Sequence, residues 1–197
     1  MKERYNYEKN FLIISIIILI SLFSFTTYQL IKLFDYKSSL SNLEKYTFFS
    51  DEKIIKKLEY NNKNYIISRY YDNISSWSHL NILLKNKDNY YILKNIKNCD
   101  TVDDGSNLYI KDNVIYIHCI GKEETIEKYS INDLDVEKES INFNFENTPN
   151  ISRLHILIDN VDDNYIYLSS PFKVDNNIVD KPNVKCSFKD KKCNYIK

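Results

Sequence analysis

Four cysteines carry the most specific chemistry in this chain of 197 residues: Cys99, Cys119, Cys186 and Cys193. Their number is even and all follow a long uncharged run, which points to disulfides formed in an oxidising space. No pair has the two-to-four-residue spacing of a structural zinc knuckle, so no metal site is expected from them. Cys186 and Cys193 flank Ser187-Phe188-Lys189-Asp190-Lys191-Lys192. If Val184 to Ile196 forms a hairpin with a four-residue turn at Phe188 to Lys191, the two fall opposite each other. Such a non-hydrogen-bonded pair lies about 4.5 Å apart at Cα, within disulfide reach. Cys99 and Cys119 then pair by elimination, with Cys119 facing inward beside Ile115 and Ile117. The chain-entropy model gives about 2.5 kcal/mol for the shorter bridge and about 3.3 kcal/mol for the longer.

The histidines are His79, His118 and His155. His118 shares the parity of Val114 and Tyr116 in an expected strand, and His155 alternates with Leu154 and Ile156. A half-buried, hydrogen-bonded strand histidine accounts for both. The sequence contains no His-Glu-x-x-His and no Gly-x-Ser-x-Gly. Its two glycines, Gly105 and Gly121, cannot build a Gly-rich phosphate loop. No catalytic residue, metal ligand or cofactor is assigned. Asp100 to Gly105 and Asp159 to Asn164 share the pattern D-x-V-D-D-[GN]. Val102 and Val161 stand where a calcium loop needs an oxygen ligand. Asp-Gly and Asp-Asn also make ordinary hairpin turns, which is the reading adopted.

Ser68 to His79 holds Arg69, Tyr70, Tyr71, Trp77 and His79, with the only Trp of the chain. Aromatic side chains and an arginine on a long loop between strands would suit a binding surface. The rival assignment is a Trp that plugs the end of the sheet core.

The elements that position these residues begin with Phe11 to Ile31. These 21 residues carry no charge, and fifteen of them are Phe, Leu, Ile or Tyr. As a helix the run reaches roughly 31 Å, against a hydrocarbon core about 30 Å thick. It is longer than the apolar part of a cleaved signal, and no Ala-x-Ala site follows it. It is therefore expected to be an uncleaved signal anchor, in contact with the lipid bilayer. The flanking charges barely decide orientation: Lys2, Arg4 and Lys9 precede the run, and Lys32, Lys37 and Lys45 follow it. The cysteines decide it, because they would be idle in a reducing cytosol. The expected order is a cytoplasmic tail (1–10), a transmembrane segment (11–31), a juxtamembrane stalk (32–52) and an extracytoplasmic domain (53–197).

That domain is expected to be all-β and antiparallel. The chain has no Ala and is rich in Ile and Tyr, which favours strands over helices. Lys53 to Tyr60 fits a helix or a strand, and the strand is preferred because Asn61 to Asn64 then reads as a turn. Asn64-Tyr65-Ile66-Ile67-Ser68, Asn113-Val114-Ile115-Tyr116-Ile117 and Asn164-Tyr165-Ile166-Tyr167-Leu168 resemble one another, with starts 49 and 51 residues apart. Each follows an apolar segment (Lys53 to Tyr60, Leu108 to Ile110, Leu154 to Ile158). Each precedes two more: Leu80 to Leu84 and Tyr90 to Leu93, Ile126 to Ile131 and Ile141 to Phe145, Val184 to Phe188 and Asn194 to Ile196. Three propeller-blade-like repeats of about 50 residues would produce this pattern, as would an ordinary β-sandwich. Zero net charge argues against a nucleic-acid partner. The expected role is binding, scaffolding or envelope assembly, with a protein or envelope partner. The alternative is an extracytoplasmic hydrolase using Asp and His.

Overall fold

The computed structural model describes residues 2–72, 77–101, 105–120, 125–148, 156–170, 173–174, 177–178 and 183–196. The chain divides into two units, residues 1–43 and 44–197. The first is a helix, α1 (Lys2–Ser41), of 40 residues. At 1.5 Å per residue it is roughly 60 Å long. No Gly or Pro interrupts it. The side chains of Ile13, Ile17, Leu19, Phe23 and Phe25 lie on different sides of the helix, and all are exposed. The Thr26 and Thr27 hydroxyls donate back to the Phe23 carbonyl at 2.9 and 2.8 Å, which satisfies them without solvent. Within Ile13–Ser41 an 18-residue stretch has a mean hydropathy of 2.0, and the helix is long and apolar enough to cross a membrane. The helix contains the whole expected segment 11–31 and the first ten residues of the expected stalk. Residues 44–52 belong to the β unit instead.

Among the described residues the β unit contains three main antiparallel sheets, each built around a four-strand meander. The first has the order β1 (Lys45–Tyr46), β5 (Asn89–Ile96), β4 (Trp77–Asn86), β3 (Lys63–Asp72), β2 (Lys53–Tyr60). The second runs β6 (Leu108–Lys111), β7 (Val114–Ile117), β8 (Thr125–Asn132), β9 (Asp135–Asn142). The third runs β10 (Leu157–Val161), β11 (Tyr165–Ser169), β14 (Asn183–Ser187), β15 (Cys193–Tyr195). A short ribbon, β12 (Lys173–Val174) with β13 (Asn177–Ile178), lies between β11 and β14 in sequence. The three resembling pentapeptides form β3, β7 and β11, the second strand of each four-strand meander. The expected strand at Lys53 to Tyr60 is β2. Ile141 to Phe145 is displaced, because β9 starts at Asp135 and Phe143 lies beyond it. The third unit's first strand is Leu157–Val161, and Leu154 and His155 lie outside the described residues.

Tight hairpins hold the meanders in register without glycine. Tyr60 pairs with Lys63, and the two residues between them, Asn61 and Asn62, take φ of 50° and 58°. Lys87, Asp112 and Asp133 occupy the same left-handed region in the hairpins β4–β5, β6–β7 and β8–β9. Asn and Asp tolerate it best after glycine, which explains the polar dipeptides at these turns.

Burial shows why the sheets must stack. In β3, Tyr65 to Arg69 are all buried, and in β4, Ser78 to Leu84 are all buried. Successive side chains point to opposite faces, so the first sheet is covered on both sides. One cover is the segment that follows α1. Phe48 meets Tyr90 edge-to-face at 4.8 Å, and Phe49 lies 5.0 Å from Tyr70. Beneath them Glu52 accepts hydrogen bonds from the hydroxyls of Tyr46 and Ser68 and from the amide of Asn81. Burial, and then the Glu52 carboxylate, raise the Tyr46 phenol. The other cover is the second sheet. There the Tyr65 hydroxyl donates to the Asp133 carbonyl at 2.9 Å, and Lys63 pairs with the Asp133 carboxylate. Between these sheets Glu127, only 3% exposed, is held by the Tyr129 hydroxyl at 2.5 Å and by Lys138 at 2.9 Å. A buried carboxylate with both oxygens engaged is tolerated; an unpaired one is not.

The opposite face of the second sheet meets the third. Ile126, Ile141, Phe143, Phe145, Ile158 and Leu168 belong to one buried cluster. The linker Phe143 to Phe145 also hydrogen-bonds to the third sheet. Asn144 N–H donates to the Lys191 carbonyl, and Cys193 N–H donates to the Asn144 carbonyl.

Both expected disulfides are present. Cys186 and Cys193 pair across β14 and β15 with Cα atoms 4.0 Å apart. Cys99 and Cys119 lie 4.6 Å apart at Cα beside an isolated bridge between Asp100 and Ile120. All four cysteines are fully buried. The longer bridge thus ties the exit from the first sheet to the connection between β7 and β8 in the second. Gly105, with φ +69°, sits on the same crossover. A Cβ there would fall well inside contact distance of the Ile55 Cγ2 atom, on the bulge of β2.

Two predictions follow from this packing, both read by urea unfolding. Gly105→Ala should cost about 1–2 kcal/mol from its left-handed backbone alone, plus a clash. Combining it with Ile55→Ala should remove the clash part, so the two changes should not add. Replacing Cys186 and Cys193 by serine should cost about 2.5 kcal/mol, and the same change at Cys99 and Cys119 about 3.3 kcal/mol. Equal stability after either cysteine change would contradict the bridge concerned.

Candidate binding cleft

The stretch expected to be a binding loop is mostly strand. Arg69, Tyr70 and Tyr71 lie in β3, and His79 lies in β4, paired with Tyr70. Alternation therefore splits them between two faces. Arg69 is 4% exposed; its guanidinium donates to the Thr101 carbonyl at 2.7 Å and lies 5.1 Å from the Tyr71 ring centroid. On the other face Tyr70 stacks on His79 at 5.1 Å, and His79 Nδ1 accepts from the Asn98 N–H at 3.4 Å. Tyr71 is exposed. Trp77 opens β4, but its side chain lies outside the described residues. The four described side chains, Arg69, Tyr70, Tyr71 and His79, do not converge on one surface. His118 is fully rather than half buried, just past β7, where its Nδ1 accepts from the Ile156 N–H at 3.4 Å. Among the described residues no group of three His, Cys, Asp or Glu is arranged to hold a metal ion.

A different set of side chains does converge. A cleft of about 470 Å³ opens between the second and third sheets, at the end that carries the hairpins β6–β7, β10–β11 and β14–β15. One cross-strand row of the second sheet supplies its base: Tyr116 on β7 lies opposite Lys128 on β8, and Lys128 lies opposite Glu139 on β9. Lys128 and Glu139 form an ion pair of 3.0 Å. A second ion pair crosses the cleft between sheets, Lys111 to Asp163 at 2.5 Å. Val114, Ile141 and Phe188 give the apolar walls. The Phe188 ring lies 6.0 Å from Tyr116 and 6.2 Å from Phe143. Tyr116 is 8% exposed and lines the cleft, and its hydroxyl has no hydrogen-bond partner among the described residues.

The electrostatics of the cleft favour fixed charge over proton transfer. Burial raises the Tyr116 phenol, with Lys128 and Lys111 opposing that rise. The bond to Asp163 raises the Lys111 amine. Asp162, at the mouth, is held below the usual carboxylate range, first by the Asn164 N–H that it accepts. All three shifts move away from neutrality. At neutral pH the phenol therefore stays a donor, the amine a cation and the carboxylate an anion.

Asp162 also settles the D-x-V-D-D-N pattern. Its Oδ1 accepts from the N–H groups of Asn164 and Tyr165 at 2.8 and 2.7 Å, and its Oδ2 accepts from the Tyr167 hydroxyl at 2.9 Å. Its own N–H donates to the Tyr165 carbonyl at 2.9 Å. This is the expected hairpin turn. In the companion pattern, residues 102–104 lie outside the described residues.

Sequence reasoning missed the cleft. Its residues span Lys111 to Lys191 and share no motif. The available signal was parity: Tyr116 and Lys128 occupy the face of their strands that also carries Ile126 and Ile141.

Asp162→Asn should weaken the β unit at neutral pH. The folded-state carboxyl is depressed, so its contribution is present above the unfolded value and is lost as pH falls through the folded one. Urea unfolding should therefore show a gap between wild type and variant at pH 7 that narrows as pH falls below the ordinary carboxylate range. A gap that persists in acid would assign the effect to shape rather than charge.

No protein-family model matches the chain, and no curated protein or solved structure matches it either.

Proposed function

We propose that α1 crosses a membrane once, with the N-terminus in the cytoplasm and the β unit outside. We further propose that the β unit is a binding or scaffolding module that uses the cleft between its second and third sheets. The observation that carries the location is the pairing of an apolar helix, exposed on all sides, with two buried disulfides in the unit that follows it. Buried disulfides are made and kept in oxidising compartments. A helix of this length and hydropathy suits a lipid environment. The three four-strand meanders are read as copies of one blade-like unit, supported by the matching position of β3, β7 and β11 within them.

Binding is preferred to hydrolysis on the state of the titratable groups. His79 and His118 each accept a hydrogen bond from a backbone N–H inside the domain. In the cleft the Tyr116, Lys111 and Asp162 shifts all lead away from neutrality, so these three are not poised as a general acid or base.

The protein should stay with the membrane fraction through high salt and alkaline carbonate. Ile17→Arg places a charge near the middle of the span and should weaken insertion by about 2.5–3.5 kcal/mol. Wild-type protein recovered in the soluble fraction, shortened by its first 30 or so residues, would mean that the helix is a removed signal.

A further inference from the structure

We propose that the cleft between the second and third sheets takes a neutral, polyhydroxylated ligand, a saccharide of one or two rings. The inference rests on the reading of this cleft as a binding site and adds the ligand class. Its volume, about 470 Å³, falls within the range of small-molecule sites.

The charge pattern decides the class. The cleft is lined by three lysines, Lys111, Lys128 and Lys191, and by four carboxylates, Asp112, Glu139, Asp162 and Asp163. Lys111 and Lys128 are already matched to Asp163 and Glu139. An anionic ligand would face at least two unmatched carboxylates, and a cationic one would face the lysines. A neutral ligand meets neither penalty. A sugar hydroxyl both donates and accepts, so neighbouring hydroxyls can bridge an amine and a carboxylate held 3.0 Å apart, as Lys128 and Glu139 are. The Phe188 ring and the side chains of Val114 and Ile141 offer the apolar surface on which the C–H face of a sugar ring would rest.

Tyr116 is the second, independent observation. Its ring is packed against Phe188, and its hydroxyl makes no hydrogen bond among the described residues, although the residue as a whole is only 8% exposed. The hydroxyl is not fully enclosed, so it is open to a ligand in the cleft. The charges that act on it belong to Lys128, Lys111, Glu139 and Asp112, which places it among the lining groups of the cleft. A ligand hydroxyl above it would complete its hydrogen bonding. A peptide is less well served, since the base of the cleft offers side chains on a sheet face and no backbone ladder.

The test uses the full chain in lipid nanodiscs, because sugar-headed detergents would compete. Cellobiose and the N-acetylglucosamine dimer are titrated by calorimetry, alongside glucose 6-phosphate, glucosamine and a neutral tripeptide. Saturable binding of at least one neutral disaccharide is expected, with weaker binding of the charged sugars and of the peptide. Tyr116→Phe keeps the ring and its packing, and should weaken the disaccharide about fivefold through loss of one hydrogen bond. Glu139→Gln should weaken it as well, with the thermal midpoint of each variant checking the fold. The proposal is overturned if neither disaccharide binds, if Tyr116→Phe binds as tightly as wild type, or if the phosphate sugar or the tripeptide binds best. The anchoring of α1 is measured separately by carbonate extraction, so a soluble protein that still binds cellobiose would refute the anchor and leave the ligand class standing.

Discussion

The constraint on which the rest of the β unit depends is that a meander of four short strands cannot cover its own faces. Each of the three sheets has an apolar face, and each must find another layer. The first sheet is buried between the aromatic segment Tyr46 to Phe49 and the second sheet. The second is buried between the first and the third. Linkers help close the gaps: Phe143 and Phe145, fully enclosed in the connection from the second sheet to the third, fill the space between them. The Cys99–Cys119 bridge and the close approach of Gly105 to Ile55 fix the corresponding crossover from the first sheet to the second. Stability therefore lies at the interfaces between sheets as much as within their hydrogen-bond ladders.

The cleft follows from the same stacking. Two twisted sheets can pack closely along part of their length and must separate elsewhere. Here they separate at the hairpin end, past Phe188, and the side chains there turn from apolar to charged. The row Tyr116, Lys128, Glu139 continues across the strands from the buried core to the rim. A scaffold built for packing thus leaves a lined recess with Tyr116, Lys128 and Glu139 held on strands and Asp112, Asp162, Asp163 and Lys191 on the hairpin turns.

Much of this was legible in the sequence, and the reasons for the gaps are physical. The helix declared itself by 21 residues without charge. The pairing of Cys186 with Cys193 followed from the geometry of one hairpin. The four-segment pattern was visible because β3, β7 and β11 each open on Asn followed by apolar alternation. β9 lies earlier than the expected segment Ile141 to Phe145: as an edge strand it buries only Val136 and Ile141, and its Glu and Lys residues hide the period. A loop over Ser68 to His79 cuts β3 short and starts β4 late, an expectation that arises because the aromatic and polar residues there resemble a loop. Both faces of those strands are covered, so Arg69 is buried on its hydrogen bond to Thr101 instead of displayed. The cleft drew on three hairpins scattered over about 80 residues, and only the register between sheets brings them together.

The central claim is that an apolar helix holds a disulfide-linked β unit on the oxidising side of a membrane. Labelling of intact cells with a thiol reagent that cannot cross membranes tests it most directly, read by mass on the full-length protein. Without prior reduction none of the four cysteines should react. After treatment of intact cells with an impermeant reductant and mild denaturant, all four should. Free thiols at Cys99, Cys119, Cys186 and Cys193 in the untreated protein, labelled only once the membrane is opened, would contradict both the bridges and the outward orientation.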